Sequence, residues 1–213
     1  MGKDIGSLLD DATEKGYEHT FYDESADKPK MYMAEDTYHA NITKCQTIER
    51  DVRGKYKAKI YNITVKLSPE CAKNEYNSRG TDGKLANANG EDYVGRELRS
   101  VGFFQFLHPK DGDDFEANPG GNRRYLQFCE AIGIKLETKE IEIDGEKRKV
   151  KQLPNLTESD ILGVAVLAVI KNGKPWEGKD GKSRTSLEVK WLEPWQDGKP
   201  VSVDDVAKDD IPF

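Results

Sequence analysis

The sequence predicts a mainly β domain, a five-stranded Greek-key barrel with one helix between strands three and four. Three observations predict it. Apolar and polar side chains alternate with a period of two over several segments, as they do in half-buried strands. The most regular of these, Lys55 to Leu67, reverses its apolar parity partway, as a strand does where it bends around a barrel corner. A single segment, Arg123 to about Ile132, carries its apolar residues at helical spacing.

The elements follow in order. Residues 1–35 read as an N-terminal arm, with a short helix around Ile5 to Lys15 anchored only by Leu8 and Leu9. Thr37 to Ile48, rich in Thr, Ile and Tyr, is the first strand and ends at the polar turn Glu49-Arg50-Asp51. In Lys55 to Leu67, Tyr56, Ala58 and Ile60 hold one parity and Ile63, Val65 and Leu67 the other, which predicts an extra residue or sharp bend near Tyr61. Residues 69–93 form a long polar loop, and Val94 to Leu107, with Val101, Phe103, Phe104 and Phe106, is the third strand.

After the Gly/Asp/Pro loop Asp111 to Gly121, Asn122 is the predicted N-cap of the helix. Its apolar stripe is Tyr125, Leu126, Phe128, Cys129 and Ile132, and Gly133 ends it. Ile141 to Val150 is an extra small hairpin turning at Asp144-Gly145. Ile161 to Ile170 is apolar on both parities, so it is a central strand buried on both faces. Ser183 to Trp191 pairs with it and Pro194 stops that strand; nothing after Trp195 supports a core. The division expected is an arm (1–35), a barrel domain (36–195) and an acidic tail (196–213), with both acidic termini disordered. Strand, strand, strand, helix, strand, strand is the connectivity of an OB-type barrel.

Composition and charge bound the function. The 213 residues carry 33 Lys+Arg against 39 Asp+Glu, a formal charge of −6. Residues 1–36 hold −6 and residues 196–213 hold −3, which leaves the body, 37–195, at +3. A mildly basic body between acidic ends differs from a uniformly acidic protein, and acidic ends also serve solubility. The longest apolar run, Ile161 to Ile170, is too short to span a bilayer, which needs about 18–20 residues. The charged start lacks the apolar stretch of a secretory signal. Cys45, Cys71 and Cys129 are odd in number and unpaired in spacing, so neither a disulfide framework nor a zinc knuckle is expected. The expected setting is cytoplasmic. Phosphate-binding, esterase and zinc-protease motifs are missing, and His19, His39 and His108 lie far apart, so we expect no enzyme, no cofactor and no metal.

Two segments carry binding chemistry most clearly. The hairpin loop KNGKPWEGKDGKSR holds Lys171, Lys174, Lys179, Lys182 and Arg184 around Trp176. Cations hold phosphates and an indole stacks an unpaired base. The second is one parity of the second strand, Lys55, Lys57 and Lys59, preceded by Arg50 and Arg53, where ammonium groups at strand spacing can track a phosphate backbone. Tyr61 and Phe104 are the expected further stacking platforms. Lys73, Tyr76, Arg79 and Lys84 lie in the long loop, where they either close over a strand or are a plain insertion. Arg123 and Arg124 open the helix beside Asp113, Asp114 and Glu116.

The chain ends Asp209-Asp210-Ile211-Pro212-Phe213, an apolar tip on a solvated acidic tail. Its ring can enter a pocket, and its carboxylates can meet a basic rim. This tip resembles that of bacterial single-stranded DNA-binding proteins. The body, from its strand-and-helix order and basic Gly/Trp hairpin, looks more like the divergent OB-fold single-strand binders encoded by phages. The resemblance implies a sequence-independent single-stranded DNA-binding protein of replication, recombination and repair, in the host cytoplasm if phage-encoded. It also implies that Asp209, Asp210, Ile211, Pro212 and Phe213 recruit replication or recombination proteins. Two other classes stay open: a structural or adaptor β-barrel that uses the tail for docking, and a sugar-binding barrel with Trp176 and Trp195 as platforms.

Overall fold

The computed structural model describes residues 31–52, 56–107, 122–143 and 145–202. The helix expected over Ile5 to Lys15, Arg53, Lys55, the Asp111 to Gly121 loop, Asp144 and the tip Asp209 to Phe213 lie outside them.

The described chain is mainly β with one α-helix. The strands are β1 (Tyr32–Met33), β2 (Asp36–Val52), β3 (Tyr56–Leu67), β4 (Glu75–Arg79), β5 (Leu85–Asn89), β6 (Glu97–Arg99) and β7 (Phe103–Leu107). After helix α1 (Arg123–Ala131) come β8 (Thr138–Ile143), β9 (Glu146–Lys151), β10 (Ala165–Asn172), β11 (Trp176–Glu177), β12 (Ser183–Arg184) and β13 (Leu187–Pro194). The main sheet is antiparallel in the order β13-β10-β2-β3-β6, with β7 pairing further along β3. Its ladder is open where a closed five-stranded barrel is expected. The two ends meet at one isolated parallel bridge, Ser100 to Val189. Among the described residues, no helix is long and apolar enough to cross a membrane.

Several boundaries differ for identifiable reasons. No turn forms at Glu49-Arg50-Asp51; β2 runs on to Val52, with Glu49 opposite Lys59 and Asp51 opposite Lys57. The parity reversal in β3 reflects no extra residue near Tyr61. The register shift lies in β2, between Ile42 and Lys44; in β3 the outer parity is buried at Ala58 and Ile60, beside Phe106 and Phe104, and the core parity from Tyr61 on. The expected third strand is broken into β6 and β7 at Gly102, whose φ of +89° favours glycine.

The 69–93 segment is not a plain loop. It folds into β4 and β5, which with β1 make a three-stranded sheet. Its buried side chains include Ser78, whose hydroxyl bonds the Tyr93 hydroxyl at 2.5 Å, so apolar periodicity is weak there. The 141–150 hairpin forms as β8 and β9. The central apolar strand begins only at Ala165, after a turn at 161–163, and its partner begins at Leu187 and ends at Pro194.

Helix α1 packs Tyr125 and Phe128 into the core, against Tyr61 at 5.5 Å and Phe103 at 4.5 Å between ring centroids. Asn122 precedes it without a side-chain cap; instead its amide exchanges hydrogen bonds with the Phe106 backbone. The segment after Trp195 does pack. Val201 N–H donates to Gly163 O at 2.9 Å, and Asn41 Nδ2 to Lys199 O at 3.1 Å. Trp195 meets the His39 ring edge-on at 4.8 Å, so it is no free sugar platform.

Candidate nucleic-acid interface

Alternation gives β3 two faces, and its register assigns neighbours to each. Tyr61, Ile63, Val65 and Leu67 face the core and are buried. Ala58, Ile60, Asn62, Thr64 and Lys66 share the outer face. Opposite them, β2 supplies Arg50, Ile48, Gln46 and Lys44; β7 supplies Phe106 and Phe104; β6 supplies Arg99 and Glu97.

Phe104 and Phe106 are half-buried, and their rings lie 22° from parallel with centroids 6.1 Å apart. Buried Ala58 and Ile60 stand opposite them in register. Gly102 lets the backbone pass close beside them, since a Cβ there would stand 2.8 Å from Ile60 Cγ2. Four cations, Lys44, Arg50, Lys66 and Arg99, share this face with one carboxylate, Glu97, which pairs with Lys44 at 3.5 Å. Stacking rings, side-chain amides at Gln46 and Asn62, and excess positive charge are what a single strand of nucleic acid needs.

The hairpin ribbon forms a second cluster. Trp176 stands opposite Arg184 in the β11–β12 pair and is 52% exposed. The Arg184 guanidinium lies 5.7 Å from the Trp176 ring centroid and bonds Asp180 at 2.8 Å. Lys174, Lys179 and Lys182 are exposed beside it. Lys171 reaches the other way, to Glu35 at 3.5 Å. That carboxylate is held below its ordinary pKa first by the Asn172 backbone N–H and then by Lys171.

The predicted residues therefore divide. Phe104 lies on the outer face as expected. Tyr61 is fully buried and donates its hydroxyl to Gln105 Oε1 at 3.1 Å, so it has no ring face to offer a base. Lys57 and Lys59 share the parity of Tyr61, on the side away from Phe104. Lys59 Nζ is tied to Asn155 Oδ1 at 2.7 Å and Leu156 O at 3.0 Å, over the Tyr61 ring. The ladder sets the ribbon beyond the Asp36 end of β2 and the Phe104–Phe106 pair toward the Val52 end, so one continuous trough of all these residues does not form. In the 69–93 segment, Tyr76 is buried against Tyr38, and Lys73 and Lys84 pair with Glu70 and Asp82.

Lys44, Gln46 and Arg99 were missing from the sequence expectation, and Phe106, one of its five candidate aromatics with Tyr56, Tyr61, Phe103 and Phe104, was passed over for Tyr61 and Phe104. Only Phe106 had a signal there, as an aromatic two residues from Phe104; the others join it through register alone.

The buried titratable groups are structural. Burial pushes the Cys45 and Cys129 thiols up to about 11, so both stay protonated and weakly nucleophilic. Burial likewise raises Tyr38 and Tyr76 and lowers His39, whose Nδ1 meets the Tyr76 hydroxyl at 2.8 Å. Among the described residues no group of three His, Cys, Asp or Glu is placed to hold a metal. Compared with models of protein families, with curated proteins and with solved structures, the chain has no match.

Proposed function

We propose that this chain is a sequence-independent single-stranded DNA-binding protein on an OB-type barrel, and that it acts in DNA replication and recombination. The observation that carries the reading is the outer face of β2, β3, β6 and β7, where two near-parallel phenylalanine rings lie among four cations and one acid. The barrel assignment is supported by the pairing order and by the parallel Ser100–Val189 bridge, which joins the ladder's ends as barrel closure requires. Exposed Trp176, with Lys174, Lys179 and Lys182, extends the surface as a separate contact.

The tip Asp209 to Phe213 recruits partner proteins in this reading. The acidic tail also competes with DNA. Its root supports that: Lys199 is bonded by Asn41, which stands opposite Lys66 at one end of the cationic face.

A tryptophan-fluorescence titration with oligo-dT at two salt concentrations tests the proposal. Affinity is expected to fall steeply with salt as counterions are released. Phe104→Ala is expected to weaken binding by about 1–3 kcal/mol, one lost stack. Deleting Asp209 to Phe213 is expected to preserve or tighten binding. Salt-indifferent binding, a preference for duplex, or an unaffected Phe104→Ala would overturn the reading and favour the adaptor barrel.

A further inference from the structure

We propose that the outer edge of β5 is a self-complementary seam at which two copies of this chain pair antiparallel, joining their three-stranded sheets into one. Among the described residues β5 pairs only with β4. The ladder fixes which backbone groups remain. At its ends, Gly80 N–H donates to Lys84 O at 2.9 Å and Gly90 N–H to Asn74 O at 3.0 Å. Bonded and non-bonded pairs alternate in an antiparallel ladder. With Ser78 opposite Ala86 and Tyr76 opposite Ala88, those two pairs are the bonded ones. Ala86 and Ala88 therefore turn their N–H and C=O toward β4. Leu85, Asn87 and Asn89 turn theirs outward.

Natural sheet edges are usually blunted by lysine, proline or a bulge. The edge Leu85-Ala86-Asn87-Ala88-Asn89 has none of these, and its register with β4 is unbroken. Leu85 is 62% exposed at its start.

The occupant follows from the symmetry of this edge. A two-fold axis at Asn87 sets Asn87 against the partner's Asn87 and Leu85 against the partner's Asn89. Every outward-facing residue then meets another, for about six backbone hydrogen bonds. Ala86 meets the partner's Ala88, so no bulky side chains collide. Charge selects the direction. Continuing the register brings Lys84 beside the partner's Gly90 and Glu91 at both ends, whereas a parallel pairing sets Lys84 against the partner's Lys84.

Sedimentation velocity of the full chain without DNA, over a concentration series, tests the seam independently of any nucleic-acid function. The wild type is expected to show a reversible monomer–dimer equilibrium. Asn87→Pro removes one outward N–H from each copy and no bond to β4, so it is expected to fold and to dimerise about tenfold or more weakly. Asn87→Cys supplies a second readout. Bonded antiparallel pairs stand about 5.5 Å apart at Cα, so a short bis-maleimide is expected to link this variant into a dimer that the native cysteines do not give. A wild type that stays monomeric throughout, an Asn87→Pro variant that dimerises like wild type, or an Asn87→Cys variant that fails to cross-link would overturn the proposal.

Discussion

Lys59 and Tyr61 show how one residue's role depends on which face of a strand is covered. Alternation correctly groups Lys57 and Lys59 on one parity; it does not say that this parity runs on into the core as Tyr61, Ile63 and Val65. The ammonium of Lys59 is used to hold the Asn155 side chain and the Leu156 carbonyl. The Tyr61 hydroxyl, bonded to Gln105, is part of a buried polar network that also includes Tyr125. Tyr61→Phe is therefore expected to lower stability by about 1 kcal/mol in urea unfolding, the worth of a buried hydrogen bond. It is expected to leave oligo-dT affinity unchanged. A loss of affinity without a loss of stability would return Tyr61 to the binding surface.

Among the elements, the length and bending of β2 decide most of the architecture. Its first part pairs with β10 and its longer remainder with β3, and the register shift at Thr43 lies near the handover. The turn before β10 is locked from both sides: Gly163 N–H donates to Ile42 O at 2.8 Å, and Gly163 O accepts from Val201. Gly163 has φ +80°, and a Cβ there would collide with the Val201 carbonyl. Gly163→Ala is expected to destabilise the fold by about 1 kcal/mol or more and to speed hydrogen exchange at the Val201 amide. Unchanged exchange would mean that the segment is held by other contacts.

At the scale of the molecule, the boundary expected at Trp195 falls too early. Residues 195–202 cover the Asn41–Gly163 end of the main sheet. Truncation after Pro194 removes Lys199 O, the nearer acceptor of Asn41 Nδ2, and Val201 N–H, which donates to Gly163 O. The melting temperature is then expected to drop by about 2–4 °C for each kcal/mol lost. Truncation after Ser202 keeps both bonds and is expected to lower it less. Equal melting temperatures for both truncations and the full chain would restore the earlier boundary.

The mainly β class, the place and facing of the one helix, the 141–150 hairpin and the end of the last strand at Pro194 are legible in the residues of single segments. These are local properties, written in periodicity of two or 3.6 and in Pro and Gly punctuation. The tertiary structure alone decided that Lys59 and Tyr61 share a side away from Phe104, that Lys44, Gln46, Arg99 and Phe106 join Phe104, and that β5, among the described residues, pairs with β4 alone. Which face of a strand is covered, and which distant residues share it, depends on register between segments far apart in the chain, and no single segment encodes that.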